Sequence, residues 1–139
     1  QPEFAAGYVQ EIAFGIDFTA RDRQRECKAR GHPWEIAKAF DHSAPVSTFI
    51  SLEQLPDPTA IAFELRKNGA TVQRGNTRDL LFSFDQLIVY VSQFFKLQMG
   101  DLIFTGTPAG VGPVQIGDRL EGFIRLKEGV RSMLQCAVK

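Results

Sequence analysis

Two alternating runs meet at Asn68-Gly69, and that junction constrains the fold more than any other stretch. From Thr59 to Lys67, Ile61, Phe63 and Leu65 fall on one side, with Glu64 and Arg66 on the other. A period of two is that of a half-buried strand. The chain resumes as Thr71 to Arg74 after Asn-Gly, a dipeptide that accepts the positive φ angles of a tight turn. The pattern predicts an antiparallel hairpin, and with it a chain built on sheet.

Other segments extend this reading. Residues 1 to 6 read as the end of a helix, with Gly7 as its stop. Val9 to Thr19 reads as a strand, with Ile12, Phe14, Ile16 and Phe18 on one face and Ala13, Gly15 and Asp17 on the other. The small-residue face either lines a cavity or is covered by another element. Asp22 to Ala29 is a short polar helix, with Asp22 as its cap and Gly31 as its stop. Pro45 to Leu52 is extended, and Pro56-Asp57-Pro58 is a turn. Phe84 to Leu97 carries the helical stripe Leu87, Ile88, Val91, Phe94 and Phe95, which reads as core. A strand from Leu102 to Thr105 leads into a Gly-rich loop ending at Pro113. After the Gly117-Asp118 turn, Arg119 to Leu126 and Val130 to Val138 form a closing pair of strands. The fold class is mainly β with a few helices (α+β), as a sandwich or barrel-like roll.

Composition narrows the function. The 139 residues fit one domain with a real core. Sixteen basic residues balance sixteen acidic ones, and no basic stripe points to nucleic acid. No apolar run reaches the ~18 residues needed to span a bilayer, and the start has no signal-peptide pattern. Cys27 and Cys136 have neither metal spacing nor the density of a disulfide framework. Reduced thiols and a cytoplasmic location are expected, with a Cys27–Cys136 disulfide as the alternative.

Chemistry concentrates between Gly15 and Phe40. Asp17 sits in the apolar run, where a carboxylate is costly unless something positive meets it. Lys38 lies within the apolar tetrapeptide Ala37-Lys38-Ala39-Phe40. A buried acid and a buried lysine suggest a site, and a structural ion pair fits the spacing equally well. Arg21 and Gln24 lie where strand hands over to helix, a common place for ligand groups. His32 and His42 lack a third ligand nearby and make no zinc site. The loop Thr105-Gly106-Thr107-Pro108 lacks a P-loop's Gly-Lys-Ser/Thr ending. It can still bring backbone N–H groups and a hydroxyl close to a small anion.

The run Gly15-x-Asp17-x-Thr19-Ala20-Arg21-Asp22-x-Gln24, followed by Gly31-x-Pro33-Trp34 and Ala37-Lys38-Ala39-Phe40, resembles the fumarylacetoacetate hydrolase family. The likeness is greater to its acylpyruvate hydrolase branch. A second block agrees in the family's order: Gly100-Asp101-Leu102-Ile103-Phe104-Thr105-Gly106-Thr107-Pro108, then Gly110-Val111-Gly112-Pro113. The resemblance implies a β-roll of mixed sheets whose active site opens at one end, and a homodimer. It implies Mg²⁺ or Mn²⁺ held by two glutamates and one aspartate, which Asp17 matches. Lys38 matches the lysine that stabilises a developing enolate, and Thr107 the threonine that hydrogen-bonds the substrate carboxylate. Arg21 and Gln24 match positions that hold substrate or carboxylates behind the ligands.

Family members begin with a further segment that carries a Glu-x-Glu metal motif and a catalytic histidine. No Glu-x-Glu occurs here, and the first residue is Gln1. Residues 1–139 are therefore expected to be one catalytic domain, incomplete at its N-terminal side. The implied activity is C–C bond hydrolysis of short 2,4-dioxo acids such as acetylpyruvate or fumarylpyruvate, through a pyruvate enolate. The alternatives are oxaloacetate decarboxylation or 2-oxo acid tautomerisation on the same site, and a scaffold module without catalysis. The expected partner is a small 2-oxo acid, with neither nucleic acid nor membrane.

Overall fold

The computed structural model describes residues 2–139, so Gln1, the first residue of the expected N-terminal helix, lies outside the described residues. Among the described residues, six strands and four α-helical segments, the first of them α1 (Pro2–Ala5), follow one another with short 3₁₀ turns between them. Strands β1 (Glu11–Ile12) and β2 (Ile50–Ser51) form a small antiparallel pair. Strands β3 (Ala62–Lys67), β4 (Ala70–Asn76), β5 (Arg119–Leu126) and β6 (Gly129–Ala137) form a four-stranded sheet in the order β4-β3-β5-β6. The fold is mainly β with a few helices, as expected, and every ladder in these two sheets is antiparallel.

The hairpin forms where Asn-Gly demanded it. Lys67 pairs with Ala70 across Asn68 at φ 52° and Gly69 at φ 83°. Both turn residues have positive φ, the twist that suits a two-residue connection. Strand β5 alternates strictly, burying Leu120, Gly122, Ile124 and Leu126. With Phe14, Ile50, Leu55, Ile61, Leu65 and Leu134 these leucines and Ile124 make the core.

Two strand expectations shrink. Val9 to Thr19 contributes only β1 and one bridge, Gly15 to Val46. Its alternation survives: Phe14 is buried, and Ile12, Ile16 and Phe18 pack on the same core. Leu102 to Thr105 forms no strand, and residues 101 to 115 have neither helix nor strand. Helix α2 (Arg21–Arg30) begins after Ala20 with no side-chain cap, so Asp22 lies in its first turn and is not its cap. Gly31 at φ 66° closes it, donating to Cys27 and Lys28 carbonyls. A one-turn helix, α3 (Glu35–Lys38), escaped the periodicity reading because four residues give no period.

Helix α4 (Phe84–Val91) stops six residues short of the expected Leu97. Ser83 and Gln86 start it with a reciprocal capping box. At its end the N–H groups of Gln93 and Phe94 bond three residues back, to Tyr90 and Val91, and the Ser92 hydroxyl donates to the Val89 carbonyl. Phe94 and Phe95, read as core, are both about two-thirds exposed (65% and 68%). Leu87, Ile88 and Val91 are half-buried, with the helix Pro2–Ala5 packed beside α4, so the uncovered part of the stripe is Phe94 and Phe95.

Glycines seat aromatic rings between the layers. A Cβ at Gly122 would overlap the Phe14 ring, and one at Gly75 the Phe63 ring. Phe14 and Phe63 meet edge to face, with centroids 6.2 Å apart. Gly122→Ala should therefore lower stability by about 1–3 kcal/mol, although alanine suits a strand better, because overpacking a fixed ring is costly. Equilibrium urea unfolding checks this, and an unchanged midpoint would show that the ring is free to move.

Asp118 ties the far end of the sheet together. It accepts from the Gln115 N–H (2.9 Å) and from Asn68 Nδ2 (2.7 Å). Those bonds hold its carboxyl below the ordinary aspartate range, the Gln115 bond most. A depressed folded value means stability that is present above about pH 4 and lost as pH falls through that value. The melting-temperature advantage of the native chain over Asp118→Ala should thus be full at pH 6 and shrink steadily in acid. A gap that is constant down to pH 2 would contradict the assignment.

Candidate active site

Backbone hydrogen bonds first bring the two charged candidates together. The Phe18 N–H donates to the Ser43 carbonyl (2.8 Å), and the Ala20 N–H to the Ala37 carbonyl (3.0 Å). This lays the segment bearing Asp17 beside the helical turn bearing Lys38. Ala37 is fully buried and anchors that turn. Lys38 Nζ then reaches Asp17 Oδ2 at 2.7 Å and donates to Thr19 Oγ1 at 2.8 Å.

The pair is not buried as expected: Lys38 is 36% and Asp17 40% exposed. Asp17 lies on the small-residue face, and that face is turned away from the core that Phe14, Ile16 and Phe18 enter. Nor does Gly15 open a cavity. Its missing side chain makes room for Phe104, since a Cβ there would lie 2.7 Å from that ring.

Arg21 and Gln24 also pair, with Arg21 Nη1 donating to Gln24 Oε1 at 2.9 Å across the first turn of α2. Gln24 is buried while Arg21 is exposed, so the arginine is aimed by an amide that cannot swing away. Thr19 was missed by the sequence reading. Its signal was its place two residues beyond Asp17 in the same extended, alternating segment, which puts both side chains on one face.

Thr107 stands apart from these four and shares none of their hydrogen bonds. It lines a cavity of about 240 Å³ with Thr105 and Gly106 on one wall and Asp79, Leu80, Leu81, Phe82 and Leu87 on the other. Its link to the segment bearing Asp17 runs through Phe104, whose ring rests on Gly15.

Among the described residues no three of His, Cys, Asp or Glu gather closely enough to hold a metal ion. The donor chemistry of Asp17 nonetheless suits a hard cation: a carboxylate at an accessible surface, with only Oδ2 engaged by Lys38. One such carboxylate is short of a full ligand set. Cys27 and Cys136 are free thiols, and burial pushes the Cys136 thiol up. No helix among the described residues is long and apolar enough to cross a membrane.

A roll of antiparallel sheets with an acid–lysine pair at its open face, and a Gly-rich loop beside it, defines a class that comparison identifies. Residues 1–133 match the model of the fumarylacetoacetate (FAA) hydrolase C-terminal region, and the chain belongs to that family. It is 48% identical over 133 residues to the mouse protein named oxaloacetate tautomerase FAHD1, mitochondrial, covering 95% of this chain and 59% of that one. It is 47% identical over 116 residues to oxaloacetate tautomerase YcgM of Escherichia coli K12, covering 83% and 51%. The fold matches a crystal structure of fumarylpyruvate hydrolase from Pseudomonas aeruginosa in complex with Mn²⁺ and pyruvate. That match has a TM-score of 0.88 and 39% identity, and covers 99% of this chain and 57% of that one. The chain thus spans between half and three-fifths of these relatives.

An ion pair this exposed contributes at most about 1 kcal/mol. Lys38→Met should therefore leave the thermal midpoint nearly unchanged in a calorimetric scan. A collapse of the fold would make the lysine a structural partner.

Proposed function

We propose that the full protein is a metal-dependent enzyme that generates or stabilises the enolate of a short 2-oxo acid. The observation that carries this reading is the Lys38 ammonium, 2.7 Å from Asp17 Oδ2 and 2.8 Å from Thr19 Oγ1 at an accessible face. A cation fixed by two oxygens but open to a ligand adds little stability and is well placed for a developing negative charge. Asp17 would be one ligand of Mg²⁺ or Mn²⁺, whose Lewis acidity would polarise the keto oxygen of the substrate. Lys38 would hydrogen-bond the oxygen that gains charge as the enolate forms. The Thr107 hydroxyl would donate to the substrate carboxylate. Arg21, steadied by Gln24, would hold the carboxylate or a ligand behind it. The remaining ligands and the base would come from beyond these residues.

Oxaloacetate keto–enol tautomerisation is the favoured reaction, supported by identities of 48% and 47% to proteins with that name. Hydrolysis of a 2,4-dioxo acid is the second reading, supported by the fumarylpyruvate hydrolase neighbour. Both pass through a 2-oxo acid enolate, so both need the same charge-stabilising groups. Decarboxylation would draw on the same enolate. A cytoplasmic homodimer is part of the proposal; exposed Tyr90, Phe94 and Phe95 support an assembly that covers them. The mouse relative's name places that protein in mitochondria.

The test is an assay of the full-length protein with Mg²⁺ on oxaloacetate enol, acetylpyruvate and fumarylpyruvate. Turnover should require the metal, and Lys38→Met should lower kcat by about 10²-fold with a small change in KM. Asp17→Asn should weaken Mg²⁺ binding in calorimetry. Metal-independent turnover would overturn the metal assignment, and no turnover on any of these acids would refute the enzyme and leave a scaffold.

A further inference from the structure

The Gly-rich loop has no regular structure of its own, yet it is held at both ends by one element. Residues 101 to 115 lie largely exposed. At the near end, Gln73 Nε2 on β4 donates to the Pro108 carbonyl at 3.1 Å, one residue beyond Thr107. Two residues later, Gly110 at φ 98° passes so close to the Val72 carbonyl that a Cβ would overlap it. At the far end, Lys67 Nζ donates to the Pro113 carbonyl at 3.1 Å and lies 3.6 Å from Asp118. Asn68 Nδ2 donates to Asp118 Oδ1 at 2.7 Å, and Asn68 Oδ1 accepts from the Arg119 N–H at 2.8 Å. Gln73, Lys67 and Asn68 all belong to the β3–β4 hairpin.

We propose that the hairpin is the clamp that sets where Thr107 presents its hydroxyl, and that Gln73 is the positioning residue closest to it. The inference rests on Thr107 binding the substrate carboxylate. The physical argument is entropic. A loop without its own hydrogen-bonded ladder samples many conformers, and each lost conformer must be offset before a ligand is bound. A bond from Gln73 to the neighbouring carbonyl removes that freedom in advance. It touches neither substrate nor reacting atoms, so its loss shows in binding and spares the chemical step. Gly110 serves the same end by permitting close approach, which no side chain at positive φ would.

Gln73→Met in the full-length, Mg²⁺-loaded protein removes the donor at similar size. KM for the 2-oxo acid should rise about fivefold with kcat within about twofold, the scale of one neutral hydrogen bond. The melting temperature should stay put, and proteinase K should cut within residues 106–116 faster. Gln73→Arg, which keeps a donor, should restore both KM and protection. Gly110→Ala should reproduce the rise by a different route. In a double-mutant cycle, Gln73→Met should add nothing to Thr107→Val, because it acts through that hydroxyl. If Thr107→Val raises KM while Gln73→Met does not, the clamp is wrong and the substrate reading survives. If Thr107→Val leaves KM unchanged, the substrate reading itself falls and the clamp's role with it. A drop in melting temperature with equal loss of kcat would make Gln73 merely structural.

Discussion

The seating of Phe14 on Gly122 is the contact on which the rest of this molecule depends. A ring occupying the place of a missing side chain locks the entry segment onto the four-stranded sheet with almost no freedom to slide. Its neighbour repeats the device in the opposite sense, for Gly15 receives the ring of Phe104. Two adjacent residues thus face two different layers, one feeding the core and one holding the loop segment. Asp17 follows two residues after Gly15. Its position is inherited from packing around it, and its own contacts add little.

This division of labour explains how a charged pair is kept at an accessible face. Were Asp17 and Lys38 buried, the desolvation cost would demand compensation from every side. Half exposed, they cost little and gain little, and their orientation is supplied by the backbone bonds of Phe18 and Ala20 and by the fully buried Ala37. The protein spends its packing on the frame around the charges. An ammonium so placed remains available to an incoming oxyanion, because its partners are a carboxylate and a hydroxyl at the edge of solvent.

The hairpin and the Gly-rich loop show the same economy. The loop carries exposed apolar side chains, among them Leu102 and Val111, and takes its course from the β3–β4 strands beneath it. Asp118 closes the arrangement by accepting from both the hairpin turn and the chain just after the loop. A strong local turn therefore organises a weak distant one. The exposed apolar residues after α4 mark where the described frame ends without a covering layer.

Much of this was legible beforehand. The hairpin, the closing strand pair, the glycine stop of α2 and the apolar face of the entry segment all follow from period and turn chemistry, which a few neighbouring residues decide. The family likeness in two separated blocks pointed to Asp17, Lys38, Arg21, Gln24 and Thr107. Three things were not legible. The length of α4 depends on a layer that would pay for two more turns of exposed phenylalanine. The strand expected at Leu102 needs a partner edge, and among the described residues no strand pairs with that segment. The exposure of Asp17 depends on what lies over its face, which an alternation cannot report. By itself, then, the sequence determined the hairpin and the closing strand pair, where the chain turns and which side chains carry charge, because those are local properties. Only the tertiary structure decided that Thr19 joins Lys38, that Gly15 is covered by a ring and lines no cavity, and that Gln73 reaches the loop, because each joins residues whose approach is set by the packing between them.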